Sequence, residues 1–328
     1  MELYPLKFKP IYKERVWGGN KLSKVINREI PNDKVIGESW ELSSVKGDLS
    51  VITNGFLKGN NIQEVIEIYM GDVVGEKVYE KFGIEFPLLF KLIDSAERLS
   101  VQVHPNDETA LKRHNAYGKT EMWYVVNADE NAPIYVGFNK ALDVEEFSAR
   151  AKNGTLTDVM NVEKACKDDV FFLPAGRIHA IGEGLLIAEI QQTSDITYRI
   201  YDWGRENNPK TAREMHTELA QDVIDYSSHD TYKTNYSKQK DAINELATCE
   251  YFTTNFMHLT KAKERNYVNI DSFVVYMCTE GSAKLEYNST EETISKGETV
   301  LIPAAIDSIN IVPENGNVKL LEVYVIII

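Results

Sequence analysis

The chain is poor in cysteine and has no long apolar run, and both absences narrow the class of protein to which it can belong. Its three cysteines, Cys166, Cys249 and Cys278, are odd in number and widely separated. Such spacing does not suit a disulfide framework and favours reduced thiols, as in a cytosol. The N-terminus lacks the apolar core of a signal peptide, and the apolar run 323–328 is too short to span a bilayer. We therefore expect a cytoplasmic protein without a membrane partner.

Basic residues are also scarce relative to acidic ones. The chain has 36 lysines and arginines against 50 aspartates and glutamates, which gives a net charge of −14. An acidic protein repels nucleic acid and anionic membranes, so we expect neither as a partner. Any anionic ligand must then meet a local basic cluster. With 328 residues, of which 43% are hydrophobic, the chain can bury a substantial core and has room for two domains.

Short strand-like runs, separated by glycine and proline, make up most of the chain. Runs of this kind predict a mainly β sandwich or barrel. Helical patterns interrupt the strands at 61–82, 108–113, 144–165 and 214–226. We therefore expect β domains with short helical insertions.

An internal repeat relates the two halves of the chain. Residues 167–181 align without gaps on residues 296–310, and His179 then falls on Ser308. The halves therefore look like copies of one β unit in which only the first keeps a candidate metal ligand.

A polar stretch rich in serine, threonine and lysine marks the best domain boundary. We predict a metal-binding catalytic domain with helical segments at 1–228, a linker at 229–245 and a degenerate domain at 246–328. The last of these lacks metal ligands, so we expect it to be structural.

The candidate metal ligands lie in strand-like runs. Gln102 and His104 are two residues apart in an alternating run, so on a strand their side chains leave the same face. Glu121 opens another strand-like run, and His179 follows a Pro-Ala-Gly turn. Two imidazoles, one carboxylate and one amide oxygen suit a divalent metal that prefers imidazole and oxygen ligands.

Further polar residues lie in or beside runs that should be core. They are Ser100, Lys119, Glu189 and Arg199. Charged groups are not buried without partners or a purpose. Lys91 also interrupts an apolar run, so it either points out of the sheet or reaches a site.

Two sets of motifs resemble known families. A strand with a histidine, a later glutamate and the Pro-x-Gly-x-x-His pattern around His179 are similar to the cupin motifs of small metal-binding barrels. Asp168 stands where the second cupin motif begins with glycine. More narrowly, SVQVHPND, GKTEMWY, PAGRIHAIG and AEIQQTSDITYRIYDWGR resemble type I mannose-6-phosphate isomerase (phosphomannose isomerase) in its short bacterial form. RVWGG and GESWELS match the same family, so the resemblance extends from about residue 6 to the C-terminus.

The resemblance implies a fold, a metal and an activity. The fold would be two cupin-type β-barrel (jelly-roll) domains. One Zn²⁺ per chain would be held by Gln102, His104, Glu121 and His179. The enzyme would interconvert mannose 6-phosphate and fructose 6-phosphate, with a small sugar phosphate as its partner. We expect a monomer or a weak homodimer.

An aldose-ketose isomerisation moves a proton between C1 and C2 while charge develops on the enediol oxygens. The resemblance makes Arg199 the residue that stabilises this charge. Lys119 and Glu189 are candidates for ring opening and proton transfer. The base stays open among Glu189, Lys119 and a zinc-bound hydroxide.

The resemblance places the remaining candidates at the substrate and its 6-phosphate. They are Ser100, Arg205, Lys91 and Asp195. Two departures from the longer family members matter here, since a large helical insertion is missing and Arg205 stands where they have lysine. Charge is kept at this position, but the geometry of a phosphate contact differs.

Two other functions fit the same ligand types. A cupin with two histidines and a carboxylate can bind Fe²⁺ as an oxygenase. A sugar-binding cupin without catalysis is the other alternative. Gln102 and the nearby charged residues favour sugar-phosphate chemistry. Metal analysis would exclude iron, and a chain with metal but no turnover would support the sugar-binding alternative.

Overall fold

The structure, a computed structural model, describes residues 2–31, 33–210, 212–288 and 290–327. Nineteen strands in these ranges form three sheets, so the predicted mainly β class is confirmed. Over the described residues the end strands of each sheet do not pair with one another, so the sheets do not close into barrels. The sheets stack instead as the layers of a cupin-like sandwich.

The middle layer is a sheet of six antiparallel strands. In spatial order they are β2 (Ile11–Gly19), β3 (Ile36–Leu42), β4 (Leu88–Ser95), β11 (Leu185–Gln192), β6 (Glu121–Ala128) and β9 (Val170–Leu173). Every residue of β4 and β11 is buried. Both faces of the sheet centre are therefore covered by other layers.

The second sheet has five strands and carries two of the predicted ligands. In spatial order they are β12 (Tyr198–Tyr201), β5 (Val101–Val103), β10 (His179–Ile181), β7 (Pro133–Phe138) and β8 (Met160–Lys164). Gln102 on β5 lies opposite both Arg199 on β12 and His179 on β10. This register sets three residues side by side that are distant in the sequence.

The third sheet has eight strands and contains most of the C-terminal part of the chain. In spatial order its path is β1 (Leu6–Lys7), β18 (Thr299–Ile302), β16 (Val274–Tyr287), β19 (Ser308–Tyr324), β14 (Thr253–Leu259) and β13 (Ile243–Thr248), with β15 (Lys263–Asn266) paired to β19 and β17 (Thr290–Ser295) paired to β16. The strands β9 and β18 coincide in the internal repeat, and β19 begins where the repeat aligns His179 on Ser308.

Side-chain alternation in the middle sheet distributes its residues between two cores. Phe90 and Leu92 pack into a cluster with Phe256 of the eight-stranded sheet. Ile93 packs into a different cluster with Ile181 of the five-stranded sheet. Because successive side chains on a strand point to opposite faces, every second residue of β4, β11 and β6 faces the five-stranded sheet.

The helices are short and lie outside these layers. They are α1 (Lys21–Lys24), α2 (Ile62–Tyr69), α3 (Gly71–Val74), α4 (Glu76–Phe82), α5 (Asp107–His114), α6 (Val144–Asn153) and α7 (Thr217–Gln221), with 3₁₀ turns at Leu156–Val159 and Arg205–Asn207. Over the described residues, none is long and apolar enough to cross a membrane. α5 begins where Asn106 caps it by accepting a hydrogen bond from the Thr109 amide.

Two helical predictions are wrong in their extent. The helix pair predicted at 144–165 ends at Asn153, because Gly154 adopts a left-handed conformation and closes α6. The chain then returns as β8, which pairs with β7. The helix predicted at 214–226 is limited to Thr217–Gln221. At Met160–Lys164, pairing with β7 overrides the local helical pattern.

Asp168 connects the middle sheet to the eight-stranded sheet. Its φ of 67° lies in the left-handed region that favours glycine, and aspartate tolerates this region better than most residues. Its carboxylate accepts hydrogen bonds from Tyr124 Oη at 2.5 Å and from Lys319 Nζ at 2.7 Å. These contacts explain how aspartate occupies a position where the cupin motif has glycine.

The stretch predicted to be a linker packs against the five-stranded sheet. Tyr232 is buried, and its hydroxyl donates to the Phe138 carbonyl at 2.9 Å. β13 begins at Ile243, inside the same stretch. The division into domains at 229–245 remains a prediction.

Replacing Phe256 with alanine should destabilise the protein by about 3–5 kcal/mol, because it opens a cavity between two layers. Phe256 is 1% exposed and stacks on Tyr124. Urea unfolding measures the loss. Phe56→Ala is the matched control, since Phe56 is 40% exposed and should cost much less. Equal losses in the two variants would contradict this layered packing.

Candidate metal centre and cleft

Three of the predicted ligands converge between the middle and five-stranded sheets. His104, Glu121 and His179 are buried, and one potential ligand atom from each lies within 4.8 Å of the others. His179 Nε2 is 3.3 Å from Glu121 Oε1, and His104 Nε2 is 3.6 Å from Glu121 Oε2. No other such group of histidine, cysteine, aspartate and glutamate occurs in the described ranges.

Backbone carbonyls orient both imidazoles. His104 Nδ1 lies 2.8 Å from the Ile196 carbonyl oxygen, and His179 Nδ1 lies 2.8 Å from that of Arg177. A carbonyl only accepts, so each Nδ1 carries the proton and each Nε2 keeps its lone pair. Metal-binding histidines are commonly held in this way. The two Nε2 atoms are therefore prepared to bind a cation.

Burial keeps these imidazoles neutral. It lowers the pKa of His104 well below its ordinary value, and the Lys119 ammonium adds to this shift. Burial also lowers the pKa of His179 to about 4. A neutral imidazole is the form that binds metals.

Gln102 completes the predicted ligand set. Its Nε2 atom lies 3.3 Å from His179 Nε2, and the Ser100 hydroxyl donates to its Oε1 at 3.4 Å. A half-turn of the terminal amide exchanges its oxygen and nitrogen. In that orientation the side chain presents an oxygen towards the same point as His179.

Glu121 is the member of the group whose buried charge a bound cation would stabilise most. It is fully buried, and neither carboxylate oxygen has a hydrogen bond of acceptable geometry. Lys119 Nζ lies 3.0 Å from Oε2 and also 3.1 Å from His104 Nε2. Burial raises the pKa of Glu121, and the nearby Glu189 carboxylate raises it further. Two neutral imidazoles, an amide and a carboxylate without hydrogen bonds fit a divalent metal.

Beside this group lies a cleft of about 620 Å³ that reaches Gln102 and Lys119. Its lining is strongly charged although the chain as a whole is acidic. The basic residues are Arg15, Lys91, Lys119, Arg199, Lys210 and Arg213, and the acidic ones are Glu14, Glu38, Glu189, Asp195 and Glu214. The cleft therefore supplies the local basic cluster that an anionic ligand requires.

Lys91 and Glu189 form a buried ion pair on the middle sheet. Lys91 Nζ is 2.9 Å from Glu189 Oε1 and 2.6 Å from Gln191 Oε1. The second oxygen of Glu189 accepts a hydrogen bond from Trp123 Nε1 at 2.8 Å. Burial alone would raise the pKa of Glu189, but Lys91 and Lys119 outweigh it and lower that pKa. Lys91 thus reaches the cleft and keeps Glu189 ionised.

Arg199 approaches the cleft from the five-stranded sheet. Its Nε donates to the Ser100 hydroxyl at 3.2 Å, and its Nη1 donates to the Glu214 carbonyl at 2.9 Å. Burial lowers the pKa of Arg199 to about 10, and the charge of Arg213 contributes to that shift. At neutral pH the guanidinium remains charged beside the metal group.

The predicted residues are not all brought together. Asp195 is exposed and lines the cleft. Arg205 does not line it, and donates instead to the Asp202 carboxylate and to the Arg98 carbonyl. Ser100 lines the cleft in contact with Arg199. Among the residues predicted to bind the phosphate, Arg205 therefore lies apart from the rest.

Known proteins resemble this chain over almost its whole length. The mannose-6-phosphate isomerase ManA of Bacillus subtilis is 33% identical over 309 residues, which cover 92% of this chain and 94% of ManA. The chain belongs to the mannose-6-phosphate isomerase family. The Streptococcus mutans enzyme of that name is 30% identical over 311 residues, covering 93% of this chain and 94% of the enzyme.

Family models and a solved structure agree with this membership. The type I phosphomannose isomerase catalytic-domain model matches residues 5–131, and the mannose-6-phosphate isomerase cupin-domain model matches residues 242–325. The crystal structure of the Bacillus subtilis mannose 6-phosphate isomerase superimposes with a TM-score of 0.86 at 29% identity. That superposition covers 97% of this chain and 99% of the other. The predicted family and cupin fold are thus confirmed.

This member of the isomerase family has cleft residues that we did not single out from the sequence. Arg15 Nε donates to Glu38 Oε1 at 2.9 Å, and Trp40 Nε1 donates to Glu38 Oε2 at 2.7 Å. The motifs RVWGG and GESWELS contain these residues and were a usable signal. Lys210 and Arg213 lie in a polar loop, where sequence gives no such signal.

Chelation should lower the melting temperature of this family member, because a metal that binds only the folded state stabilises it. The gain is about 2.7 kcal/mol when free metal exceeds its Kd by 100-fold. Glu121→Gln should greatly reduce the response to chelator. Glu183→Gln is the matched control, since Glu183 pairs with Arg98 at the surface. A wild-type melting temperature unchanged by chelator would contradict the metal centre.

Proposed function

We propose that this protein is a zinc-dependent isomerase that interconverts mannose 6-phosphate and fructose 6-phosphate. The observation that carries the proposal is the placement of His104, Glu121 and His179 beside a cleft that Lys119 and Arg199 enter. Membership in the mannose-6-phosphate isomerase family supports the reaction. The combination of a metal group and a basic cleft supports a sugar phosphate as substrate.

Zinc fits the proposed ligands Gln102, His104, Glu121 and His179. It is bound in proteins by imidazole nitrogens and carboxylate oxygens, and it needs no redox change. When bound, Zn²⁺ polarises substrate oxygens and so makes the proton between C1 and C2 easier to remove. The other roles in the reaction belong to side chains of this protein.

Arg199 is proposed to stabilise the enediolate. Its guanidinium is partly desolvated, and its described contacts are the Ser100 hydroxyl and the Glu214 carbonyl, neither of which neutralises it. A fixed cation in a water-poor site stabilises developing negative charge more strongly than it would in water. β12 holds Arg199 opposite Gln102, so this charge lies next to the metal group.

Lys119 and Glu189 are proposed to handle protons. Lys119 Nζ contacts the candidate ligand atoms of both Glu121 and His104, and Lys119 also lines the cleft. Its ammonium would therefore lie between the metal ligands and a substrate bound in the cleft. Glu189 stays ionised through Lys91, so it is able to accept a proton during ring opening or enediol formation. Lys91 acts through Glu189 and is a positioning residue.

A coupled assay of mannose 6-phosphate conversion to fructose 6-phosphate tests the proposal. Chelator should abolish turnover and added Zn²⁺ should restore it, because the proposed reaction depends on the metal that these ligands hold. Fe²⁺ is added in parallel under anaerobic conditions. Turnover restored by Fe²⁺ alone would overturn the assignment of zinc. Metal binding without turnover would overturn the isomerase and leave a sugar-binding protein.

Arg199→Gln should lower kcat by about 10²–10³-fold, as the loss of a preorganised donor to a developing oxyanion does. KM should change less, since the interaction strengthens in the transition state. Arg150→Gln is the control, because Arg150 pairs with Glu146 on a partly exposed helix face outside the cleft. A variant that loses only substrate affinity would contradict the proposed role of Arg199.

A further inference from the structure

Arg199 lies on the edge strand β12, and the sheet pairs with that strand on one side. β12 is the first strand of the five-stranded sheet, and its neighbour there is β5. Arg199 pairs with Gln102 on β5, but the register shifts between Arg199 and Tyr201. Such an irregularity interrupts the ladder of hydrogen bonds. The backbone of Arg199 therefore depends on contacts at the outer edge of β12 as well.

His216 occupies that outer edge with two hydrogen bonds to Arg199. Its backbone N–H donates to the Arg199 carbonyl at 2.7 Å. Its imidazole Nδ1 accepts from the Arg199 backbone N–H at 3.3 Å. In an antiparallel hydrogen-bonded pair, two residues exchange both N–H···O bonds. His216 makes the same exchange with a ring nitrogen in place of a carbonyl oxygen, so it holds Arg199 as a neighbouring strand would.

The position of His216 is itself fixed by its surroundings. Its carbonyl accepts a hydrogen bond from the Ala220 amide at 2.9 Å, which ties it to α7. Its ring stacks on Tyr198, with 6.1 Å between the ring centroids. Tyr198 is buried, and its hydroxyl lies 2.7 Å from His114 Nε2. Packing and hydrogen bonds together set the direction of the His216 imidazole.

The contact with Arg199 requires one tautomer of His216. A backbone N–H only donates, so Nδ1 must keep its lone pair, and the neutral ring then carries its proton on Nε2. His104 and His179 have the opposite arrangement, because their Nδ1 atoms face carbonyl oxygens. Protonation of His216 would set a second N–H against that of Arg199 and add a positive charge beside the guanidinium.

The charged and titratable groups that face this imidazole come from three parts of the chain. Glu214 Oε2, in the same loop, lies 3.8 Å from His216 Nε2. Arg199 and Tyr198 face it from β12, and His114 faces it from α5. Burial lowers the pKa of His216, Glu214 opposes that shift, and Arg199 and His114 add to it. At neutral pH the ring is therefore in the neutral form that the contact needs.

We infer that neutral His216 is a positioning residue, which holds the backbone of Arg199 so that its guanidinium meets the developing enediolate. The inference rests on the proposed function, since it assumes that Arg199 stabilises the reacting oxygens. The Glu214 carbonyl accepts from the Arg199 guanidinium at 2.9 Å, so one loop holds both the backbone and the side chain. A displacement of about 1 Å in such a group can cost 10²-fold in rate.

Two substitutions of His216 differ only in where they place an acceptor. His216→Gln extends its amide to the position of Nε2 and leaves the Arg199 N–H without its partner. It should lower kcat by about 10- to 100-fold, with KM changed much less. His216→Asn keeps an oxygen where Nδ1 lies, so it should retain most of the wild-type kcat at neutral pH. Equal losses of kcat in the two variants would overturn the inference.

His258→Asn is the matched control. His258 lies in the eight-stranded sheet, where its Nε2 is 2.8 Å from Asn317 Oδ1. Its replacement should leave kcat unchanged. Melting temperature and metal content are measured for every variant, so that a loss of folded or metal-loaded enzyme is not counted as a loss of kcat. A fall in kcat at His216→Gln that folded, metal-loaded enzyme does not show would contradict the positioning role.

A double variant tests whether His216 acts through Arg199. In Arg199→Gln the group that His216 positions is absent, so adding His216→Gln should lower kcat little further. Residues that act as a unit lose rate non-additively, whereas independent residues lose it multiplicatively. Multiplicative losses would overturn the inference and give His216 a role of its own.

The dependence of kcat on pH tests the requirement for the neutral ring. Wild-type kcat should fall as acid protonates His216, at a pH below the ordinary histidine pKa of about 6.5, because the pKa of His216 is lowered. His216→Asn has no such group and should keep its kcat to lower pH. An acid limb that is the same in wild type and His216→Asn would overturn this requirement.

Nuclear magnetic resonance of the whole protein labelled with ¹⁵N-histidine separates this inference from the proposed function. The signals of His216, identified by their loss in His216→Asn, should show the proton on Nε2 at neutral pH. If they do and wild type does not turn over mannose 6-phosphate, the isomerase proposal fails while the contact stands. If wild type turns over substrate but His216 carries its proton on Nδ1, the inference fails and the isomerase stands.

Discussion

The packing of one sheet between two others is the constraint on which the rest of the structure depends. β4, β11 and β6 are covered on both faces, so their residues cannot place a polar side chain in bulk water. One face carries Phe90 and Leu92 into an apolar core. The opposite face carries Lys91, Glu121 and other charged groups to the metal group and the cleft beside it. Buried charges require partners. On this face the partners are the other charged groups, the imidazoles and the cation expected between them.

The charged groups on that face differ in whether the protein alone supplies partners for their charges. The Lys91–Glu189 pair is satisfied by the protein alone, with Trp123 and Gln191 providing further hydrogen bonds. Glu121 has an ion pair with Lys119 Nζ at 3.0 Å, but neither of its oxygens has a hydrogen bond of acceptable geometry. The fold thus separates a group that must keep its ionisation from one that must remain available to a ligand.

The internal repeat shows how one β unit can be used for two purposes. β9 and β18 occupy the same positions of the repeat, but the histidine that follows the first copy is Ser308 in the second. The eight-stranded sheet contributes Phe256 to the core behind the metal group, and Lys319 binds Asp168 of the first copy. Its described residues contain no group of metal-ligating side chains. The arrangement suggests a sheet that supports the back of the catalytic strands.

The sequence by itself determined the β class, the repeat, the family and the candidate metal ligands, because each depends on patterns read along one strand or motif. Two-residue spacing placed Gln102 and His104 on a common face without knowledge of the neighbouring strands. Only the tertiary structure decided which distant residues meet. It replaced the predicted helix before Ala165 with β8, because strand pairing outweighed local propensity. It also showed Arg213 at the cleft and Arg205 behind it, although both bind the Asp202 carboxylate. That distinction depends on the path of a loop, which no periodicity in the sequence records.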